Sequence, residues 1–323
     1  MMNGDVRVPR AVRFSRYGGP EVLEVVQVPR PSPGPGQVLV KVIVAPVNPG
    51  EIGIREGVFA DLWPAAFPEG QGNDLAGQVV EVGQDVMGFA PGDEVVGYAP
   101  RRAQADYVVH DAATLARKPP VLCWEEAAPL SAVGVTAWAG VEAVLPRPGE
   151  TVVVSAAAGG VGVLAAQLAR LRGATVVGTV GPHNLDFARS LGITPVLHGP
   201  GLAERLRAAA PNGVDAFIDT FGAGNVQAAI DLGVPPRRIN TIADGAAVRR
   251  YGVRSQAQED AFSPELVERL AALVGERRLS VPIHAVYPLE RVRDAYVELA
   301  RRHTRGKIVL SLVLSPDDGP QAG

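Results

Sequence analysis

Thr151-Val-Val-Val-Ser155-Ala-Ala-Ala-Gly159-Gly160-Val161-Gly162 is the stretch on which the fold turns. Thr151–Ser155 is rich in β-branched residues and reads as a strand, and small residues follow it directly. From Val161 to Arg172 apolar Val163, Leu164, Ala166, Leu168 and Leu171 mark a helix, closed by Gly173. A strand, a glycine turn and a helix in that order let a backbone approach a pyrophosphate. The missing side chains leave room, and the helix N-terminus offers unpaired N–H groups and the positive end of its dipole. The spacing is A-x-G-x-x-G, with Ala157 in place of the first glycine. Glycine-rich turns also occur without ligands, so the reading rests on placement inside a βαβ unit.

That placement holds on the C-terminal side. Strand Thr175–Val180, helix Leu185–Leu191, a short apolar run Pro195–Leu197 and helix Leu202–Ala210 follow one another. Strand Val214–Asp219, a helix near Val226–Leu232, strand Arg238–Ile242 and helix Pro264–Gly275 continue the alternation. Strands and helices alternating at this length make a parallel sheet covered on both faces, an α/β architecture. Upstream, Glu125–Leu145 reads as one helical stretch. Before it the texture is different: short β-type runs at Val22–Val28, Val38–Val44, Gln78–Val82, Glu94–Val96 and Tyr107–Val109, punctuated by Gly, Pro, Asp and Asn. The end of the chain is mixed again, with a helix at Pro288–Ala300, a strand at Lys307–Leu314 and a tail from Asp317 expected to fray.

Length and charge narrow the function. The 323 residues suffice for two cores, and 47% apolar with 20% charged residues is a globular balance. The formal net charge is −3, and lysine occurs only at 41, 118 and 307, so no basic surface for nucleic acid is expected. No apolar run is long enough to span a membrane. Asp5, Arg7 and Arg10 have no apolar segment behind them, so no secretory signal is expected and the cytoplasm is the default location. Cys123 is the single cysteine, which excludes an internal disulfide.

Several anchors, in order along nearly the whole chain, resemble one family. Ala157–Gly162 completes an A-A-x-G-G-V-G form that starts at Ala156; Val47-Asn48-Pro49 precedes Arg55-Glu56-Gly57; Gly72-Asn73-Asp74-Leu75-Ala76-Gly77 runs on to Val79–Gly83. Gly92-Asp93-Glu94-Val95, Val135-Thr136-Ala137-Trp138 and His303–Leu310 complete the set. The chain resembles the zinc-independent medium-chain dehydrogenase/reductases of the quinone oxidoreductase, zeta-crystallin-like branch. The resemblance implies a Rossmann doubly wound parallel sheet at 123–287, inserted into a GroES-like β-rich substrate domain at 1–122 that residues 288–323 complete. A cleft between the two, a nicotinamide cofactor and a homodimer are also implied.

Residue by residue, it implies cofactor contacts from Gly159, Gly160, Val161 and Gly162, from Gly181, His183 and Asn184 after the second strand, and from Phe221, Ile242 and Lys307. Asn48 is expected to offer hydrogen bonds on the substrate side and Thr136 to lie near the nicotinamide. The plainer readings are a loop-capping Asn48 and a helix-packing Thr136.

No metal is expected. One cysteine cannot build a Cys-rich tetrahedral site, and the histidines at 110, 183, 198, 284 and 303 show no ligand-like pairing. Gly72-Asn73-Asp74 stands where the zinc branch carries a Gly-His-Glu ligand motif, and Cys123 reads as packing.

NAD-specific folds place a carboxylate at the end of the second strand to hold the ribose 2′-hydroxyl. That strand ends here in Gly178-Thr-Val-Gly181-Pro-His183-Asn184, with no carboxylate before Asp186, which favours NADP(H) and leaves NAD(H) open. Only His183 could donate charge to a 2′-phosphate, and it reads equally as an exposed loop residue. Relatives usually carry Tyr at the position of Gly199. They also often carry Tyr where this chain has Gly53, so an acid is lost and a wider pocket is expected. Tyr98 is a weak substitute, and Tyr107 reads as structural. Without metal, hydride transfer to a quinone or α,β-unsaturated carbonyl fits best, because the product charge is delocalised. Two alternatives stand beside it: an enoyl reductase for a bulky polyketide-type enone, and a nucleotide-binding relative without turnover.

Overall fold

The structure, a computed structural model, describes residues 8–315 and 318–322. Asp5, Arg7, Asp317 and Gly323 lie outside the described residues.

Two compact units emerge. The first runs up to Ser131 and takes back Ser263–Gly275 and the chain from Ile283 onward. The second holds Ala132–Phe262 and Glu276–Pro282. Both borders depart from those expected at 122/123 and 287/288. Residues 123–131 group with the first unit, where the Ser131 hydroxyl donates to the Gly97 carbonyl at 2.9 Å.

The first unit is built on β strands: β1 Arg10–Phe14, β2 Glu24–Gln27, β3 Gln37–Pro46, β4 Glu69–Gly70, β5 Asp74–Val82, β6 Glu94–Tyr98, β7 Tyr107–Asp111 and β8 Ala116–Arg117. Helix α1, Pro49–Arg55, follows β3, and α2, Trp124–Ala127, follows β8. Strand β3 is the spine. It pairs antiparallel with β5 and β7, and eight of its ten residues carry hydrophobic side chains or proline suited to burial on both faces. Strand β1 sits between β2 and β4 in a separate three-stranded sheet.

The second unit alternates as expected: α3 Val133–Val144, β9 Thr151–Val154, α4 Gly160–Leu171, β10 Thr175–Val180, α5 Leu185–Ser190, β11 Thr194–Leu197, α6 Leu202–Ala209, β12 Ala216–Asp219, α7 Asn225–Asp231, β13 Ile239–Thr241, α8 Gly245–Tyr251 and α9 Gln258–Ala261. Its five strands are parallel in the order β11-β10-β9-β12-β13. This is a Rossmann sheet: the chain winds outward from β9 through β10 to β11, then returns to the other side of β9. Val153, Val177, Phe217 and Ile239 form its buried centre.

The rest of the chain returns to the first unit with α10 Pro264–Gly275, β14 Ile283–Pro288, α11 Val292–Ala300, β15 Lys307–Ser311 and β16 Gln321–Ala322. Strand β15 pairs parallel with β14 and antiparallel with β3, which joins the C-terminal strands to the eight-stranded sheet of the first unit.

Several local elements differ from the sequence expectation. The helix expected over Glu125–Leu145 breaks into α2, a 3₁₀ turn at Ala128–Ser131 and α3, because Pro129 has no N–H to give and crowds the preceding turn. The helix expected from Pro288 begins at Val292, and Pro288 instead ends β14. Gln321–Ala322 pairs with β14 rather than fraying. Strand β1, helix α1 and helix α8 appear where no element was expected.

Candidate cofactor and active site

The glycine turn occupies the carboxyl end of β9, at the point where the strand order reverses. Ligands in open α/β sheets bind at such switch points. Two neighbouring strands hold the turn. Thr179 on β10 accepts from the Ala156 and Ala157 amides at 3.1 and 2.9 Å, and the Ser155 amide donates to Ile218 on β12 at 2.9 Å. The tight bend itself falls on Ala156, whose φ is +46°, whereas Gly159, Gly160 and Gly162 are absent from the positive-φ positions. These glycines therefore supply space rather than unusual dihedrals. A Cβ on Gly162 would lie 2.2 Å from the Ala156 carbonyl oxygen, so the first turn of α4 rests directly on the strand end. On Gly159, the N-cap, a Cβ would lie 3.3 Å from the same atom.

Amides at 160–162 head a twelve-residue helix whose N-cap has no side chain to satisfy them. Together with the space kept by glycine, this donor set suits a pyrophosphate.

Asp219, at the end of β12, ties the neighbouring strand ends together and was not singled out from sequence. It is fully buried. Its carboxylate accepts from Ser155 Oγ at 2.7 Å, Thr241 Oγ1 at 2.7 Å, Asn225 Nδ2 at 3.0 Å, and the Phe221 and Gly222 amides at 3.1 and 3.0 Å. One side chain so fixes β9, β12 and β13 at their carboxyl ends. Phe221 and Ile242 stand there, with Ile242 N bonded to the Asp219 carbonyl at 3.1 Å. Phe221 is 39% exposed. Gly181, His183 and Asn184 follow β10 on the same sheet edge. Thr136 is half-buried in the first turn of α3. The expected cofactor residues other than Lys307 thus all belong to the second unit.

Lys307 belongs to the first unit, where it meets Asn48. Its ammonium is buried and donates to the Val47 carbonyl at 2.7 Å and to Asn48 Oδ1 at 2.6 Å. Asn48 is the N-cap of α1, with Pro49 at the first helical position and Glu51 closing a capping box. Its Nδ2 donates to Glu51 Oε1 at 3.0 Å and to Asp74 Oδ1 at 2.7 Å, while its backbone amide donates to Glu51 Oε2 at 2.9 Å. The amide expected to address a substrate is therefore engaged inside its own unit. Tyr296 on α11 donates to Glu51 and accepts from Gln104 Nε2 at 2.9 Å.

The electrostatics of this cluster follow from burial. Desolvation, followed by the Asp74 charge, pushes Glu51 up to about 7 against the hydrogen bonds of Tyr296 and Asn48. Burial likewise raises Asp74, with Lys307 opposing, and lowers Lys307, with Asp74 and Glu51 opposing.

Gly53 corrects one expectation. A Cβ there would lie 2.6 Å from the Phe59 ring, so the space left by a missing tyrosine is filled, not open.

Family profiles match two segments: an alcohol dehydrogenase GroES-like domain over residues 34–165 and a zinc-binding dehydrogenase over 191–310. The residues do not fit the zinc that the second description names. Among the described residues no three His, Cys, Asp or Glu side chains gather around a possible metal position. Asn73 accepts the Arg101 amide at 3.1 Å, and Asp74 is occupied by Asn48. Cys123 is exposed, and desolvation pushes its thiol up to about 11, away from the thiolate a metal needs.

A quinone-oxidoreductase homolog of the chloroplast of Spinacia oleracea is 32% identical over 94% of this chain and 98% of its own. The quinone oxidoreductase of Coxiella burnetii superposes with a TM-score of 0.83 at 30% identity, covering 94% of this chain and 99% of that one. A spectinabilin polyketide synthase system protein of Streptomyces orinoci is 33% identical over 93% of this chain, which spans 14% of that much longer protein. Together with the GroES-like and Rossmann units, these matches show that the chain belongs to the medium-chain dehydrogenase/reductase family, among its quinone-oxidoreductase homologues.

Proposed function

We propose that the protein is an NADP(H)-dependent reductase, working without zinc, that reduces quinones or α,β-unsaturated carbonyls. The observation that carries this reading is the glycine turn at the switch point of the parallel sheet, with glycine rather than a carboxylate where β10 ends. When bound, the nicotinamide supplies hydride.

The chain's own residues bind and orient. Amides at 160–162 would hold the pyrophosphate, Gly159 would leave its approach clear, and Asp219 holds the strand ends bearing Phe221 and Ile242. Thr136, half-buried in the first turn of α3, would contact the nicotinamide, as the family resemblance implies. Asn48 is a positioning residue, since both of its amide hydrogens are taken by carboxylates. A quinone or conjugated carbonyl suits a site without a metal, because its reduced form spreads the negative charge and solvent can protonate it.

Titration of the purified protein with NADPH and NADH, followed by a panel of quinones and enones monitored at the nicotinamide absorbance band, tests the reading. Tight NADPH binding with quinone turnover supports it. Binding without turnover of any acceptor would leave a nucleotide-binding protein instead. A second reading, an enoyl reductase acting on a polyketide-type enone, draws on the likeness to the Streptomyces orinoci polyketide synthase protein. Phe59 filling the space beside Gly53 argues against the bulkiest of such substrates. Higher kcat/KM for a thioester-linked enone than for simple quinones would favour this second reading.

A further inference from the structure

The edge of the parallel sheet beyond β10 holds a second histidine that the motif does not predict. Strand β11 ends at Leu197, and the loop 198–201 leads into α6. Gly199 and Gly201 take φ of +103° and +74°, a region L side chains rarely adopt, so this loop cannot carry the tyrosine of relatives at position 199 without strain. Arg205 on α6 clamps it. The guanidinium donates to the carbonyls of Leu197 at 2.9 Å, Gly199 at 3.0 Å and Pro200 at 2.6 Å, which fixes the loop and brings a permanent positive charge to it. The His198 amide in turn donates to Val180 on β10 at 3.3 Å. Its imidazole consequently lies over the end of β10: a Cβ on Gly181 would be 3.8 Å from His198 Nε2.

That place has a chemical meaning in this fold. The end of the second strand is where a carboxylate grips the ribose 2′-hydroxyl of NAD(H), and where a cation accommodates the 2′-phosphate of NADP(H). Here the position is glycine, an imidazole stands beside it, and the acids nearby are matched by cations. Asp186 pairs with Arg189 at 2.6 Å, and Glu204 with Arg207 at 3.9 Å.

We infer that His198, held by the Arg205 clamp over Gly181, recognises the ribose 2′-phosphate of NADP(H). The inference rests on the dinucleotide reading and deepens it, moving the discrimination between cofactors from His183 in the loop after β10 to a side chain delivered by β11.

Calorimetric titration of the wild type, His198→Ala, His198→Asn and His183→Ala with NADPH, NADH, adenosine 2′,5′-bisphosphate, 5′-AMP and inorganic phosphate tests it without any turnover. His198 is on the surface, so its variants should fold, and unchanged thermal midpoints will verify that. Loss of one phosphate hydrogen bond should weaken NADPH and adenosine 2′,5′-bisphosphate about 10-fold in His198→Ala, with NADH and 5′-AMP changed less than about 2-fold. His198→Asn, which keeps a donor without charge, should fall between. Equal losses for phosphorylated and unphosphorylated ligands, or a loss confined to His183→Ala, overturn the inference while leaving the dinucleotide reading intact. Binding of inorganic phosphate as tight as that of adenosine 2′,5′-bisphosphate would show a free-anion site, and also overturns it. Failure of the wild type to bind either dinucleotide overturns the dinucleotide reading itself.

Discussion

The phenol of Tyr296 donates to the Glu51 carboxylate at 2.5 Å across 245 positions of the chain, joining α11 to α1 in a fully buried cluster. Since burial and the neighbouring Asp74 push Glu51 up to about 7, the folded protein holds this proton more tightly than the unfolded chain. Stabilisation from the group is complete below the ordinary carboxylate range and is lost as pH rises through about 7. Buried His110, whose pKa is lowered by desolvation, acts in the opposite sense as pH falls, so the difference between two proteins is the cleaner measure. Thermal or denaturant midpoints of wild type and Glu51→Gln should therefore be compared from pH 5.5 to 8. The wild-type advantage should shrink as pH rises, by at most about 1.4 kcal/mol per pH unit for one proton. An advantage constant across that range would show that Glu51 does not titrate there.

Asp219 offers a separate test in the second unit. Five donors converge on its carboxylate, among them Ser155 and Thr241 from the strands on either side. In Asp219→Asn one acceptor becomes a donor facing donors, which should destabilise the protein by about 2–4 kcal/mol in urea unfolding. Ser155→Ala removes one partner and should cost nearer 1 kcal/mol. Dinucleotide affinity should fall in Asp219→Asn even at temperatures where the variant is folded, because the carboxylate sets the amides of Phe221 and Gly222. Unaltered stability in Asp219→Asn would show that the network is not a fixed anchor.

The turn residues separate folding from binding. A methyl on Gly162 would strike the Ala156 carbonyl at 2.2 Å, so Gly162→Ala should lower the thermal midpoint and dinucleotide affinity together. Gly159 has a looser surround, with the nearest atom 3.3 Å away, and Gly159→Ala should fold while binding both NADPH and NADH more weakly. Conversely, Ala156→Gly relieves a φ of +46° and should leave stability near that of the wild type, the eased strain offsetting the freer unfolded chain. Full dinucleotide affinity in a folded Gly160→Val variant would place the pyrophosphate elsewhere.

What the sequence disclosed, and what it hid, divides by range. The β9–turn–α4 unit and the alternation after it were legible because strand, turn and helix signals are local. Helix α1 was legible in principle, since Asn48-Pro49-Gly50-Glu51 spells a capping box with proline at the first helical position. Pro129 should likewise have split the helix read over Glu125–Leu145. Other features depend on residues far apart in the chain. The bond between Lys307 and Asn48 joins residues 259 positions apart, and no local pattern announces it. The glycine at 53 looked like open space, although Phe59, six residues on, turns back to fill it. No pattern announced His198, because its position depends on the Arg205 clamp and on the pairing of β10 with β11.

Zinc content gives the last test, and its outcome follows from how several candidate ligands are already engaged. The ring nitrogens of His110 face the carbonyl oxygens of Asp111 and Tyr98, both at 3.0 Å. His284 pairs with Glu298 at 2.9 Å. Glu51 and Asp74 are bound up with Asn48, and the Cys123 thiol is pushed away from the thiolate form. A tetrahedral site needs about four such groups converging at roughly 2.0–2.3 Å from one point, deprotonated and unopposed. Elemental analysis of the purified protein should accordingly find zinc well below one equivalent per chain. A chelator should change neither the thermal midpoint nor the rate of quinone reduction, and added zinc should restore nothing. One tightly held zinc per chain, removed by chelator with loss of activity, would show that a ligand set assembles from side chains that are otherwise engaged in this structure.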